Sequence, residues 1–102
     1  MSDISQTRQA LIARILEGDG TATHAQRRAA FDNAGLTEPL STLIEKVARH
    51  AYQVEDDDIG VARATGLSED QLFELVVCAA VGQATRQCDL ALTALVAATG
   101  KE

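Results

Sequence analysis

A helix start signal around Ser68 constrains the fold more than any other feature of this sequence. Ser68 and Gln71 have the spacing of a capping box, in which each side chain satisfies a backbone amide of the other residue. Leu67 and Leu72 occupy the positions of a hydrophobic staple, which fixes the angle at which the chain enters the helix. Together these residues predict the start of a long last helix that runs to about residue 98.

The first half of this last helix is apolar on nearly every side. Between residues 72 and 81, Glu74 is the one charged side chain. A helix that is apolar all round has to be buried all round, and one small domain cannot easily surround it. We therefore expect a homo-oligomer whose subunits meet through this C-terminal helix, where small residues such as Ala80 and Gly82 would let two helices come close.

Apolar residues at helical spacing and turn signals between them predict four further helices and no strand. They cover approximately residues 4–16, 22–33, 37–51 and 56–65. Gly35 has the position of a left-handed residue that ends the second helix, and Thr37 that of the N-cap of the third. The chain of 102 residues is therefore expected to form one all-α domain of about five helices.

Composition argues against several classes of partner. Asp and Glu number 15 against 9 Lys and Arg, a formal net charge of −6, and no basic stripe occurs. We therefore expect neither a nucleic-acid partner nor an anionic membrane surface. The longest apolar run, Leu75–Val81, is too short to span a bilayer, and the N-terminus lacks the pattern of a signal peptide. The expected location is cytoplasmic, where both cysteines would be free thiols.

Several segments between about residues 40 and 95 follow one another in a familiar order. They are an apolar helix, a short helix ending in Ala64-Thr65-Gly66-Leu67-Ser68, the stretch Glu69-Asp70-Gln71-Leu72-Phe73-Glu74-Leu75, an Ala-rich stretch and a final apolar helix. This order resembles the alkylhydroperoxidase D-like superfamily, which includes the carboxymuconolactone decarboxylases. The resemblance implies a compact helical domain, with the N-terminal helices over about residues 4–33 and the family-like core over about residues 37–98.

The residues that carry the chemistry of that superfamily are substituted here. In its redox branch a CxxC motif opens the short helix, a histidine follows it, and an upstream glutamate completes a proton relay. Counting back from Gly66 places the two cysteines at Ala51 and Val54, the histidine at Asp58 and the glutamate at Pro39. Because Ala51 and Val54 cannot form thiolates, CxxC disulfide chemistry is excluded. The decarboxylase branch also uses a histidine near the Asp58 position, so the resemblance transfers no catalytic residue.

Cys78 and His50 are candidate catalytic residues outside that motif, and Asp58, at the position of the motif's histidine, is a third candidate. Cys78 lies in the most apolar stretch and is expected to be a buried, unreactive thiol. The alternative is a nucleophile at Cys78 with His50 as its base. A disulfide with Cys88 is excluded on one continuous helix, where ten residues separate the two by about 15 Å. His50 has the position of a side chain that interacts with the C-terminus of the third helix, or of a base in a pocket.

Arg86 and Tyr52 are candidate ligand-binding residues. Arg86 interrupts the last helix and is expected to pair with Glu74, with Asp89 or with an acid of another subunit. The alternative is an anion clamp that holds the carboxylate of a small anionic ligand. Tyr52 is close to His50 in the sequence, at the end of the third helix.

The acidic run Glu55-Asp56-Asp57-Asp58 could bind a cation through its carboxylates. Its residues are consecutive and point in different directions around a helix, so helix N-terminal capping is the favoured interpretation. The two histidines lie far apart and no HxxxH or CxxC occurs, so the sequence has no zinc pattern. We expect neither a metal nor a cofactor.

These observations favour a non-redox member of the superfamily that acts as a homo-oligomeric assembly module or a small-ligand-binding module. One alternative is an enzyme of the carboxymuconolactone decarboxylase type with a relocated site around His50, Tyr52, Asp58 and Arg86. A further alternative is a thiol enzyme that uses Cys78.

Overall fold

The computed structural model describes residues 2–100, which form five α-helices. They are α1 (Ser2–Glu17), α2 (His24–Asp32), α3 (Leu40–Arg49), α4 (Asp56–Arg63) and α5 (Glu69–Thr99). A short 3₁₀ turn, Ala51–Gln53, follows α3, and residues 2–100 contain no strand. The prediction of an all-α chain with five helices is confirmed.

Helix α5 begins at the predicted capping box. The Oγ of Ser68 accepts the Gln71 N–H at 3.1 Å, and Oε1 of Gln71 accepts the Ser68 N–H at 2.9 Å. The helix continues for 31 residues and ends at Gly100, whose φ of 69° is left-handed. At 1.5 Å per residue α5 is about 46 Å long, close to the 50 Å that the molecule measures along its longest axis.

The start of α3 differs from the prediction, because Glu38 rather than Thr37 accepts a free backbone amide there, that of Thr42. The Glu38 carboxylate accepts the backbone N–H of Thr42 at 2.9 Å and its hydroxyl at 2.7 Å, together with the hydroxyl of Ser41. These bonds, those from Ser41 first, lower the pKa of Glu38. A longer acidic side chain therefore replaces the expected N-cap and also benefits from the helix dipole.

Helix α2 ends at Asn33, two residues before the predicted Gly35. Asn33 has a φ of 52° and its N–H donates to Ala30 O at 3.1 Å. Asparagine tolerates the left-handed conformation better than most residues with a side chain, so it can end a helix that a glycine further on was expected to end. Gly35 also has a positive φ, 87°, but lies in the following loop.

The core forms where α2, α3 and the first half of α5 meet. The larger buried cluster joins these helices to the end of α1, and a smaller one joins α3, α4 and the start of α5. The fully buried members include Ala30, Ile44, Leu75 and Ala79. The chain by itself buries only one side of residues 72–81, because Phe73, on the opposite side of α5, is 69% exposed; the expected cover from another subunit stays a prediction.

Helix α5 is the longest element, but its length does not make it a membrane span. Among the residues that the structure describes, no helix combines the length and the apolar character needed to cross a bilayer.

Candidate functional site

A cleft of about 560 Å³ lies between α1 and the first half of α5. Its apolar walls are Leu11 and Ile15 on α1, and Phe73 and Val77 on α5. Both Leu11 and Phe73 are exposed although they are large and apolar. Cys78 also lines the cleft, as do Arg14, Gly18 and Asp19 at the end of α1, Arg27 of α2 and Glu74 of α5.

The Glu74 carboxylate fixes the loop between α1 and α2 onto α5. It accepts the Thr21 N–H at 3.0 and 2.9 Å, the Thr21 hydroxyl at 2.6 Å and the Ala22 N–H at 3.1 Å. These bonds, with the Thr21 hydroxyl as the largest cause, hold the pKa of Glu74 below its ordinary value. The carboxylate therefore stays ionised at neutral pH and serves as a structural acceptor.

Arg27 is buried beneath the same loop, at 4% exposed. Its Nε donates to Ala22 O at 3.1 Å and its Nη1 to Gly18 O at 2.7 Å, while the Glu74 carboxylate lies 4.0 Å from Nε. A buried guanidinium needs such acceptors and a counter-charge. Arg27 and Glu74 thus hold the polar end of the cleft in place through the loop that they both bind.

The prediction that Cys78 is buried is confirmed. Its side chain is 1% exposed, and its Sγ donates to Ile15 O at 3.5 Å. Burial raises the pKa of the Cys78 thiol, whereas a reactive cysteine needs the opposite shift. Cys88, further along α5, is exposed.

His50 and Tyr52 lie together at the end of α3. The His50 N–H donates to Lys46 O at 2.7 Å, which places this residue at the helix end where the sequence predicted it. The two rings meet edge to face with centroids 6.1 Å apart. Both side chains are exposed, and neither lines the cleft beside α1.

Asp58 links α3 to α4. Its two carboxylate oxygens each accept Lys46 Nζ at 3.0 Å, and Oδ2 accepts the Glu55 N–H at 2.9 Å. The hydrogen bond from Glu55 first, and then Lys46, lowers the pKa of Asp58. These contacts support the capping interpretation of the acidic run. Within the described residues no group of three or more His, Cys, Asp or Glu side chains is placed to hold a metal ion.

Arg86 binds the end of α2 and not an acidic side chain. Its Nη1 donates to Phe31 O at 2.6 Å and its Nη2 to Gln83 Oε1 at 3.0 Å. The prediction of a pair with Glu74 or Asp89 is wrong, because Asp89 binds Arg8 at 2.9 Å and Glu74 binds the α1–α2 loop. A cation at the free carbonyls of a helix C-terminus is itself favourable.

Of the four residues predicted for a relocated active site, the structure brings His50 and Tyr52 into contact. Asp58 is held by Lys46, and Arg86 by the carbonyl of Phe31. None of the four lines the cleft of α1 and α5. The four side chains therefore do not converge on one site: His50 and Tyr52 contact each other, Asp58 binds Lys46, and Arg86 binds the Phe31 carbonyl.

The sequence analysis expected α5 to form a subunit interface but did not predict which side of it the chain leaves uncovered, an apolar strip from Phe73 to Leu95. We call this strip the outer face; its residues are at helical spacing on the side away from the core. All of them are exposed except Val77, which is half-buried. Two signals in the sequence agree with this apolar strip: residues 90–99 contain no charged residue, and residues 72–81 contain only Glu74. The outer face consists of Phe73, Val77, Ala80, Ala84, Cys88, Ala91 and Leu95.

No family model, curated protein or solved structure matches this chain. The resemblance to the alkylhydroperoxidase D-like superfamily therefore stays a prediction based on segment order. A function has to be argued from the geometry of the described residues.

Proposed function

We propose that the protein is an assembly module that forms a homo-oligomer through α5. The observation that carries this proposal is the exposure of large apolar side chains along one helix. Phe73 is 69% exposed, Leu90 71% and Leu95 57%. Large apolar patches are uncommon on monomeric proteins and mark interaction sites, and burying one such side chain stabilises an assembly by roughly 1.5–3 kcal/mol.

The second half of α5 supports the proposal most directly. From Leu90 to Thr99 every residue except the half-buried Val96 is exposed, and none is charged. Leu90 points to a different side of the helix from Leu95, since the five positions that separate them turn it by about 140°, whereas Leu92 lies one turn before Leu95 on nearly the same side. A segment with apolar residues on several sides needs a covering surface, and in a homo-oligomer that surface comes from another subunit.

The polar groups of the cleft support assembly over catalysis. Glu74 and Arg27 are bound to the α1–α2 loop, and the Cys78 thiol is buried with a raised pKa. A catalytic acid, base or nucleophile needs access to a substrate and a suitable protonation state. These three side chains are instead engaged in holding α1, α2 and α5 together.

A second candidate function is the binding of a small anionic ligand in the cleft. Its volume of about 560 Å³ lies within the usual range for ligand pockets. Arg14 is an exposed cation beside the apolar residues Leu11 and Phe73, which suits an amphipathic carboxylate. Titration with a medium-chain fatty acid, followed by calorimetry, tests this function, and an Arg14→Gln variant should weaken binding at least tenfold.

Sedimentation equilibrium of the purified chain tests the assembly function. We expect a mass of two or more subunits at micromolar concentration, and a single subunit for Leu95→Glu. Val61→Glu is the matched control, because Val61 is 53% exposed and lies on α4, away from the outer face. A monomeric wild type, or equal dissociation of both variants, would contradict the proposal.

A further inference from the structure

The outer face of α5 is nearly symmetrical about Ala84. Phe73 and Leu95 are each eleven positions from it, and Val77 and Ala91 are each seven positions from it. Every one of these positions is apolar; Phe73, Ala84, Ala91 and Leu95 are exposed, and Val77 is half-buried. A two-fold interface requires one surface to match itself after rotation. The outer face satisfies this requirement if two copies of α5 cross at Ala84.

The sizes of the side chains are also suited to such a crossing. The small residues Ala80, Ala84 and Ala91 occupy the middle of the face, and the large residues Phe73 and Leu95 its two ends. Small residues at the centre let helix axes approach to the short end of the usual range, about 8 Å. Each Phe73 would then lie opposite Leu95 of the partner subunit.

Charge selects the antiparallel direction. The first turn of α5 contains Glu69 and Asp70, followed by Glu74, whereas residues 90–99 contain no charge. Parallel pairing would place the acidic ends of both copies side by side. Antiparallel pairing places each acidic end beside an uncharged end and opposes the two helix dipoles, which is the more favourable arrangement.

We infer that two copies pair antiparallel through α5 with Ala84 at the two-fold axis, so that Leu95 of each copy enters the other's cleft between Leu11 and Phe73. This inference rests on the proposed assembly function and names its partner, a second copy of this chain. Leu11, Ile15, Phe73 and Val77 give this cleft apolar walls that can contact Leu95, while its charged lining residues include Arg14, between Leu11 and Ile15, and Asp19.

The outer face alone is too small for a stable dimer interface, so the cleft has to contribute to the contact surface. A helix of 31 residues, about 46 Å long and about 10 Å wide, offers a flat strip of about 460 Å². A stable interface buries about 800 Å² on each partner. The pairing of two helices therefore falls short, and the exposed α1 wall at Leu11, which is 50% exposed, supplies further apolar surface.

Disulfide cross-linking tests the register, because the native Cys88 and an introduced Ala84→Cys give opposite expectations. In the antiparallel register the two Cys88 residues are eight positions apart, about 12 Å along the axis, too far for a disulfide. Under mild oxidation with diamide, the Ala84→Cys, Cys88→Ser variant should become mostly covalent dimer. Wild type and the Val61→Cys, Cys88→Ser control should remain at least tenfold less cross-linked.

The outcomes distinguish this inference from the function on which it rests. Cross-linking through Cys88 in wild type, without cross-linking at position 84, would mean a parallel pair and would overturn the inference. A dimer in sedimentation that no cysteine position cross-links would mean another register, and would overturn it as well. A monomer in sedimentation would overturn the assembly function itself and assign the outer face to a different protein or to a small ligand.

Discussion

Gly82 of α5 lies directly against the backbone carbonyl of Phe31 near the end of α2, where a Cβ atom would have no room. The same carbonyl accepts the hydrogen bond from Arg86. Backbone atoms cannot move aside as the end of a flexible side chain can. The close packing of α2 on α5 therefore requires glycine at this position, although glycine weakens a helix.

Gly82→Ala should lower the free energy of unfolding by about 1–3 kcal/mol, the usual cost of overpacking. Helix propensity alone predicts a gain of about 1 kcal/mol, so the sign of the change decides between the two effects. Urea denaturation measures it. Gly60→Ala is the matched control in α4, where an added Cβ meets nothing within 4 Å, and it should raise stability by about 0.5–1 kcal/mol. A stabilised Gly82→Ala would contradict the close packing.

Glu74→Gln should destabilise the fold by about 1–3 kcal/mol at neutral pH, since hydrogen bonds to a charged acceptor are lost. The loop from Gly18 to Ala22 should loosen first, because the carboxylate binds the amides of Thr21 and Ala22. Glu69→Gln is the control, since the carboxylate of Glu69 is mostly exposed in its ion pair with Arg63 and should cost under about 1 kcal/mol. Equal losses in both variants would show that the loop contacts of Glu74 are unimportant.

The contribution of Glu74 should also depend on pH. Hydrogen bonds from Thr21 lower the pKa of Glu74 from its ordinary value of 4.5, so the unfolded chain binds the proton more tightly than the folded one. The ionised Glu74 therefore stabilises the fold fully at a pH above its ordinary pKa. This stabilisation is lost as the pH falls through the lower pKa that Glu74 has in the folded chain. The stability difference between wild type and Glu74→Gln should be constant from pH 8 to 6 and shrink below about pH 4.5. A difference that does not change with pH would contradict this titration.

The two cysteines should react with iodoacetamide at different rates. Cys78 is buried and its pKa is raised, so it should stay unlabelled until the chain unfolds. Cys88 lies on the outer face, so it should label slowly in the assembled protein and at least several-fold faster in Leu95→Glu. Mass spectrometry resolves the two sites. Rapid labelling of Cys78 below pH 7 would restore the thiol-enzyme hypothesis.

Local signals in the sequence predicted the parts of the fold that depend on neighbouring residues. The Ser68–Gln71 capping box is confirmed because both partners lie within one turn. The start of α3 was harder, since Thr37 and Glu38 can both cap a helix and the choice depends on how the chain enters it. Arg86 donates a hydrogen bond to the carbonyl of Phe31, which is 55 residues away in the sequence. No local pattern indicates such a contact.

The site was less predictable than the fold because it depends on how helices meet. Cys78 could be predicted to be buried from its apolar neighbours. The cleft could not, since it arises where α1 leaves Leu11 and Phe73 uncovered on two helices more than 60 residues apart in the sequence. The exposure of the outer face also depends on tertiary structure. The sequence of an apolar helix does not show whether its own chain or a second copy buries it.

Hydrogen exchange of the α5 amides from residue 88 to residue 99, measured at several protein concentrations, tests the central claim most directly. If a second copy covers this segment, its exchange should be slow at high concentration and become faster on dilution, and Leu95→Glu should exchange fast at every concentration. Exchange that is equally fast in wild type and Leu95→Glu and independent of concentration would contradict assembly through α5.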